Sequence, residues 1–185
     1  MIRLIDFFIS FFGIIILLPL FIFVMFIVWL DVKKPFFVQK RVGLNKLPFY
    51  LIKFRTMKNN TISAGTHLID KSKITKTGVF LRNSKIDELP QLWNVLIGDM
   101  SLVGPRPCLY NQKELILERD KIGIFSFKPG ITGLAQIKKI DMSTPRLLAE
   151  TDLEMINKLD LKMYFYYIFI TLKSIFKNIK FYFFY

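Results

Sequence analysis

The residues best suited to chemistry in this chain are two adjacent carboxylates, Asp87 and Glu88, within Ile86-Asp87-Glu88-Leu89-Pro90-Gln91-Leu92-Trp93-Asn94. An ionised carboxylate can attack an electrophilic centre or hold a hard cation. Arg82 and Lys85 precede the pair, and helical spacing places it at a helix N-terminus, which adds partial positive charge. Such surroundings are expected to keep a carboxylate ionised. The same stretch has a bland reading. Ser84-Lys85-Ile86-Asp87 matches a capping pattern in which the acids serve only the first helical turn.

Two further groups could handle anions. Gly98-Asp99-Met100-Ser101-Leu102-Val103-Gly104-Pro105-Arg106-Pro107 brackets one arginine between two prolines. Fixed backbone on both sides holds a guanidinium, which suits bidentate phosphate recognition; a rigid connector whose arginine pairs with a carboxylate is the alternative. In Lys53-Phe54-Arg55-Thr56-Met57, strand alternation puts Lys53 and Arg55 on one face, lining an anion pocket or simply facing solvent.

The net charge is +13, and between Val32 and Lys85 the only acid is Asp70. So one-sided a block expects phosphates, acidic headgroups or nucleic acid. No helix-turn-helix, zinc-finger or ribonucleoprotein pattern accompanies it, so a nucleic-acid partner is not expected. The single cysteine, Cys108, allows no internal disulfide and reads as packing. The single histidine, His67, reads as a loop residue without metal partners.

Several elements must position these groups. Phe7 to Leu30 is an apolar run interrupted by Ser10. As a helix it would rise about 36 Å, against a hydrocarbon core of about 30 Å. It is too long for a signal-peptide core and no cleavage site follows, so it is expected to remain as an anchor. Pro19 should kink it, leaving open a kinked crossing or a segment that dips in and returns; sequence physics alone favours crossing. Lys33, Lys34, Lys40 and Arg41 follow the run and place its C-terminal side in the cytoplasm. Phe36-Phe37-Val38 and Phe49-Tyr50-Leu51-Ile52 read as strands around a turn at Val42-Gly43-Leu44-Asn45, and 58–73 as a polar loop. Helices are expected over Ser84 to Gly98, beginning near Asp87, over Tyr110 to Arg119 and over Thr144 to Lys158. In the first, Ile86, Leu89, Trp93 and Leu96 share one face and Asp87, Gln91 and Asn94 the other. From Leu161 to Tyr185 the chain is aromatic with Lys173, Lys177 and Lys180 on one helical face, an interfacial membrane helix in preference to a core helix.

Six blocks in order resemble the bacterial sugar transferase family, the monotopic phosphoglycosyl transferases that initiate glycan assembly for O-antigen, capsule and glycoproteins. They are Gln39-Lys40-Arg41-Val42-Gly43, Lys53-Phe54-Arg55-Thr56-Met57, Ile74-Thr75-Lys76-Thr77-Gly78 through Arg82, the Asp87-Glu88 helix, Gly98 to Pro107, and Lys128-Pro129-Gly130-Ile131-Thr132-Gly133-Leu134-Ala135-Gln136. Any one block is weak; their order and spacing make the resemblance specific, and it runs to about Gln136. It implies a mostly helical α+β fold with three parts. Residues 1–31 would form a re-entrant helix-break-helix, 32–160 a small cytoplasmic catalytic domain with short strands, and 161–185 an amphipathic interfacial helix. It implies transfer of a sugar 1-phosphate from a UDP-sugar to undecaprenyl phosphate at the bacterial inner membrane. Asp87 would be the nucleophile, and Glu88 would help hold Mg²⁺. Arg106, Arg82, Lys53, Arg55 and Gln136 would bind phosphate. A homodimer is compatible with it. Three departures stand out: Leu18-Pro19 replaces the usual Ser-Pro at the helix break, Lys138-Lys139 replaces a common Asn-Gly, and Lys128 a common Arg. The rival reading is a non-catalytic membrane-anchored binder of anionic lipid or of a partner protein, which needs neither Asp87-Glu88 nor the Pro-Arg-Pro segment.

Overall fold

The computed structural model describes residues 1–59 and 71–184; His67 and most of the loop expected over 58–73 lie outside them. The architecture is mostly helical α+β. It begins with a single apolar helix, α1 (Ile2–Val32), which runs through Pro19 without a non-helical residue on either side. This corrects the expected helix-break-helix. A proline deletes one backbone donor, and the bonds above and below it can still carry the helix on.

Helix α1 is docked near both of its ends. Its buried stripe is Asp6, Ser10, Val24, Val28 and Val32, while Phe8, Phe12, Ile16, Phe23 and Phe26 are exposed. Near the start, Ile2 and Ile5 join a core with Val95, Met100, Leu102 and Tyr164. Near the end, Val24, Val28 and Val32 pack with Phe54 and Leu81. Polar pins fix the first turns. Arg3 donates to the carbonyls of Val95 and Leu96, and the Asp6 carboxylate accepts from the Leu102 N–H at 2.9 Å, the Ser101 hydroxyl at 3.2 Å and the Tyr164 hydroxyl.

A hairpin follows. Strands β1 (Phe36–Val42) and β2 (Pro48–Phe54) pair antiparallel with Lys40 opposite Tyr50. Both are longer than the apolar patches that predict them, because Gln39, Lys40, Arg41 and Lys53 join the ladder despite their polarity. A 3₁₀ turn, Leu44–Lys46, closes the hairpin with Asn45 in the left-handed region at φ 52°.

Helix α2 (Lys76–Asn83), which apolar periodicity does not reveal, is capped by Thr75, whose hydroxyl accepts from the Gly78 N–H at 2.9 Å. A 3₁₀ turn, Ile86–Glu88, leads into α3 (Gln91–Ile97). Strand β3 (Ser101–Val103) lies parallel to β4 (Gly130–Thr132), and α4 (Lys113–Lys121) intervenes between them in the chain. Helices α5 (Leu134–Ile137), α6 (Pro145–Asn157) and α7 (Leu161–Phe184) complete the chain. Helix α7 buries Tyr164 and Tyr167 and exposes Phe169, Leu172 and Phe176.

Asp6 therefore joins α1, β3 and α7 through one carboxylate. Asp6→Leu strands three donors in the interior. A loss of about 1–3 kcal/mol is expected, read as a lowered thermal midpoint in lipid nanodiscs.

Candidate active site

The local chain around Asp87 departs from the helical expectation. Ser84 does not cap the next helix. Its hydroxyl turns back and donates to Phe80 O at 2.8 Å and Leu81 O at 3.1 Å, closing α2. Lys85 then takes the left-handed region at φ 61°, which reverses the chain and starts the 3₁₀ turn that carries Asp87 and Glu88. Helix α3 begins only after Pro90. The capping alternative thus fails: the acids sit on a separate turn wedged between α2 and α3.

The amphipathic sense of this segment is also inverted relative to a soluble core. Asp87, Gln91 and Asn94 face inward at 7%, 3% and 1% exposure, while Trp93 and Ile97 are more than half exposed. Asn94 fixes α3 to the hairpin edge. Its side-chain oxygen accepts from the Ile52 N–H at 3.1 Å and its amide donates to Tyr50 O at 2.8 Å, copying a strand. This positioning role has no one-dimensional signal beyond a polar residue on the face opposite Trp93.

The hairpin brings Lys53 to the acidic pair. Its ammonium lies 2.8 Å from Glu88 Oε1, and Arg106 Nη2 approaches the same oxygen at 3.7 Å. Lys53, Lys85 and Arg106 together hold the Glu88 carboxyl far below the usual range, against the upward push of its burial. Asp87 behaves in the opposite way. Burial and then the neighbouring Glu88 charge push it up to about 6, and Lys53, Lys85 and Arg82 only partly offset them. The expectation that positive surroundings dominate Asp87 is corrected here, because withdrawal from water outweighs them. Above about pH 6 the group is nonetheless mainly ionised.

Glu88, Lys53 and Arg106 line one cleft with Arg41, Gln91 and the Gly130-Ile131 backbone segment. Among the described residues, the buried Gln91 Nε2 and Arg41 Nε in this cleft have no hydrogen-bond partner. Neither Gln91 nor Arg41 is among the ligand-binding residues expected from the sequence. Arg41 sits in the Gln39-to-Gly43 block, and Gln91 lies one helical turn beyond Asp87, which was the available signal.

The other expected residues are distributed differently. Arg82 stays close enough to act on the Asp87 charge, and its Nε donates to Thr56 Oγ1 at 2.8 Å. Arg55 is past the end of β2 and turns away, donating to Lys34 O and Phe36 O at 3.1 and 3.2 Å. Alternation does not hold beyond Phe54 because the strand ends there. Gln136 lies outside the cleft lining; both its amide atoms are buried without a partner, and a Cβ on Gly133 would fall 2.9 Å from its Oε1. Cys108 is buried, as a packing residue should be.

The Pro-Arg-Pro segment and the Lys128-to-Gly133 loop meet backbone to backbone. Gly130 N–H donates to Pro105 O and Gly104 N–H to Thr132 O, each at 2.9 Å. A Cβ on Gly130 would lie 2.0 Å from Gly104 N, so this approach requires glycine.

No group of three or more His, Cys, Asp or Glu residues that could hold an ion occurs among the described residues. Magnesium does not need one. It takes one or two carboxylates and completes its shell with water and substrate phosphates, a requirement that Asp87 and Glu88 fit, with the ion pairs of Glu88 on a single oxygen.

A sequence profile for bacterial sugar transferases matches residues 1–178. The chain belongs to the bacterial sugar transferase family. It is 50% identical over 117 residues to the uncharacterized sugar transferase EpsL of Bacillus subtilis strain 168, a match covering 63% of this chain and 57% of that protein. It is 43% identical over 119 residues to a UDP-glucose:undecaprenyl-phosphate glucose-1-phosphate transferase of Xanthomonas campestris pv. campestris, covering 60% of this chain and 24% of the relative. A Caulobacter vibrioides protein of the same name is 36% identical over 127 residues, covering 63% of this chain and 48% of the relative. The chain thus spans less than two thirds of each of these relatives.

The Lys53–Glu88 contact gives a direct stability test. Lys53→Met leaves Glu88 with only the longer Arg106 contact in a half-dry site. Unfolding stability should fall by about 3 kcal/mol, and Lys53→Met with Glu88→Leu should recover most of it, measured by thermal denaturation of detergent-solubilised protein.

Proposed function

We propose that this sugar transferase moves a sugar 1-phosphate from a UDP-sugar to undecaprenyl phosphate and releases UMP. The observation that carries this reading is the inward-facing acidic pair, with Glu88 held by Lys53 and Arg106 in a cleft whose Gln91 and Arg41 donors are unsatisfied. Donors left without partners in a basic cleft suit an incoming diphosphate. Two of the relatives are named as transferring glucose 1-phosphate from UDP-glucose to undecaprenyl phosphate.

In this reading Asp87 supplies the nucleophile. One of its carboxylate oxygens forms a bond to the β-phosphorus of the donor. The bond from that phosphorus to the bridging oxygen breaks, and UMP departs with the oxygen and its electron pair. The sugar phosphate remains on Asp87 as an acyl phosphate. A phosphate oxygen of undecaprenyl phosphate then attacks the same phosphorus, frees the Asp87 carboxylate and yields the lipid diphosphate sugar. No proton need be removed from either nucleophile when both are ionised, so this reaction calls for no general base. Arg106 and Lys53 neutralise phosphate charge, and Arg82 acts on the Asp87 side. Glu88, with Asp87 beside it, would hold Mg²⁺, which when bound would supply charge neutralisation of the diphosphate.

The docking of the unbroken α1 at both ends supports an anchor that stays on one side of the membrane rather than crossing it. Both ends of this helix pack on the catalytic residues' own scaffold, through Arg3 and Asp6 at one end and Val28 and Val32 at the other. A helix crossing the bilayer would pull that scaffold through hydrocarbon. Laid in one leaflet, it buries its exposed phenylalanines while the domain stays in water. The exposed Lys173 and Lys177 of α7, beside Phe169 and Phe176, suit the same interface, on the cytoplasmic side indicated by Lys33 and Lys34.

Purified protein in nanodiscs with Mg²⁺, undecaprenyl phosphate and a panel of UDP-sugars should release UMP. Asp87→Asn should abolish release, and omitting undecaprenyl phosphate should leave intact wild-type protein heavier by one phosphosugar in mass spectrometry. Lipid binding without UMP release across the panel would favour a non-catalytic anchor instead.

A further inference from the structure

Arg106 and Pro107 of the Pro-Arg-Pro segment line the cleft, and a proline on each side of Arg106 removes two backbone donors from its segment. Its position is therefore set through carbonyl oxygens. Four successive carbonyls are each taken by a donor from elsewhere. Pro105 O accepts from Gly130 N–H at 2.9 Å, and Arg106 O from Arg119 Nη1 at 2.8 Å. Pro107 O accepts from Arg41 Nη1 at 2.9 Å, and Cys108 O from Val42 N–H at 3.0 Å. Two of the four donors are side-chain guanidiniums, and one of these grips the carbonyl of Arg106 itself.

Arg119 is a costly residue to place there. It lies on α4 with its side chain 2% exposed, paired at 2.6 Å with Asp152 on α6, which is 1% exposed. Arg119 Nε and Asp152 Oδ1 are buried with no partner among the described residues. An under-satisfied buried ion pair is a poor source of stability, since well-packed apolar residues of similar volume commonly do as well or better. What the pair delivers that apolar residues could not is an oriented N–H on Arg106 O. Asp152 holds one arm of the guanidinium fork and the other arm reaches the loop.

We infer that Arg119 and Asp152 form a positioning pair that aims the Arg106 side chain at the Glu88 side of the cleft by gripping the Arg106 carbonyl. The role for Arg106 rests on the transferase reading above; the grip on its backbone does not. Neither Arg119 nor Asp152 touches the cleft, so both act only through the loop.

The test is a cycle in which Arg119→Met/Asp152→Leu is made in the wild-type background and again in Arg106→Ala. A shift of about 1 Å in a charged group suffices to lower kcat/KM by about 10–100-fold. UMP release should fall by that factor in the wild-type background and by less than about twofold once Arg106 is already alanine. The thermal midpoint should change equally in both. Equal losses of activity in both backgrounds, or none in either, overturn the inference. Asp152→Asn keeps the shape of the pair and serves if the apolar variant does not fold; its loss should show the same dependence on Arg106. A second measurement needs no sugar donor. The Arg106 Nε–Hε resonance, assigned by Arg106→Lys, should move or broaden in the Arg119 and Asp152 variants, and an unchanged resonance overturns the inference. A wild-type protein that releases no UMP counts against the transferase reading alone, because the resonance still decides this one.

Discussion

Everything in this structure is arranged around the problem of keeping two adjacent carboxylates out of water. Two like charges in a low-dielectric setting repel each other and lose hydration, so one must be neutralised by close cations or take up a proton. Here Glu88 receives the cations and is held strongly acidic, while Asp87 absorbs the cost and is pushed up to about 6. The asymmetry follows from reach. Lys53 extends from β2 to Glu88 Oε1, and Arg106 approaches the same oxygen from the loop after β3. The division separates a carboxylate permanently charged by its ion pairs from one less encumbered by them.

Holding those cations requires the rest of the domain. The hairpin presents Lys53, Asn94 locks α3 to the hairpin edge, and the β3–β4 ladder sets the Pro-Arg-Pro segment beside Gly130. Backbone approach at Gly104 and Gly130 is close enough that either Cβ would collide with the opposite chain. Rigidity here is made of main-chain contacts and buried guanidiniums rather than of a large apolar core, which is divided among three clusters. The remaining apolar surface, on α1, Trp93, Ile97 and α7, is turned outward. That distribution inverts the usual amphipathic rule: these helices turn apolar side chains outward and polar ones toward the interior.

Several features were readable in one dimension. The acidic pair, the Pro-Arg-Pro segment, the hairpin, the apolar start and the helix over Pro145–Asn157 all announce themselves by local pattern, because turn residues and periodicity act within a few positions. The failures have equally specific causes. Asp87 is expected at the start of a helix, with a Ser84 cap as the bland alternative, whereas that hydroxyl bonds backward to Phe80 and Leu81; both patterns are local and only packing of α2 chooses between them. Arg55 was grouped with Lys53 by alternation, but β2 ends at Phe54 and the guanidinium turns to the Lys34 and Phe36 carbonyls. The break expected at Pro19 was replaced by an unbroken helix, since contacts at both ends of α1 outweigh one missing backbone bond.

The sequence by itself determined the chemical inventory: which carboxylates, which cations, an apolar, aromatic-rich segment at each end, and an order of motifs specific to sugar transferases. These are properties of residue type and short spacing, and they survive without knowing the fold. Only the tertiary structure decided which groups meet. Arg41 and Gln91 join the cleft, Gln136 does not line it, and Arg119 reaches the Arg106 carbonyl while Asp6 ties α1 to β3 and α7. Those contacts link residues from thirteen to more than a hundred and fifty positions apart. Closing such distances depends on how all the elements pack together, and no local pattern carries that information.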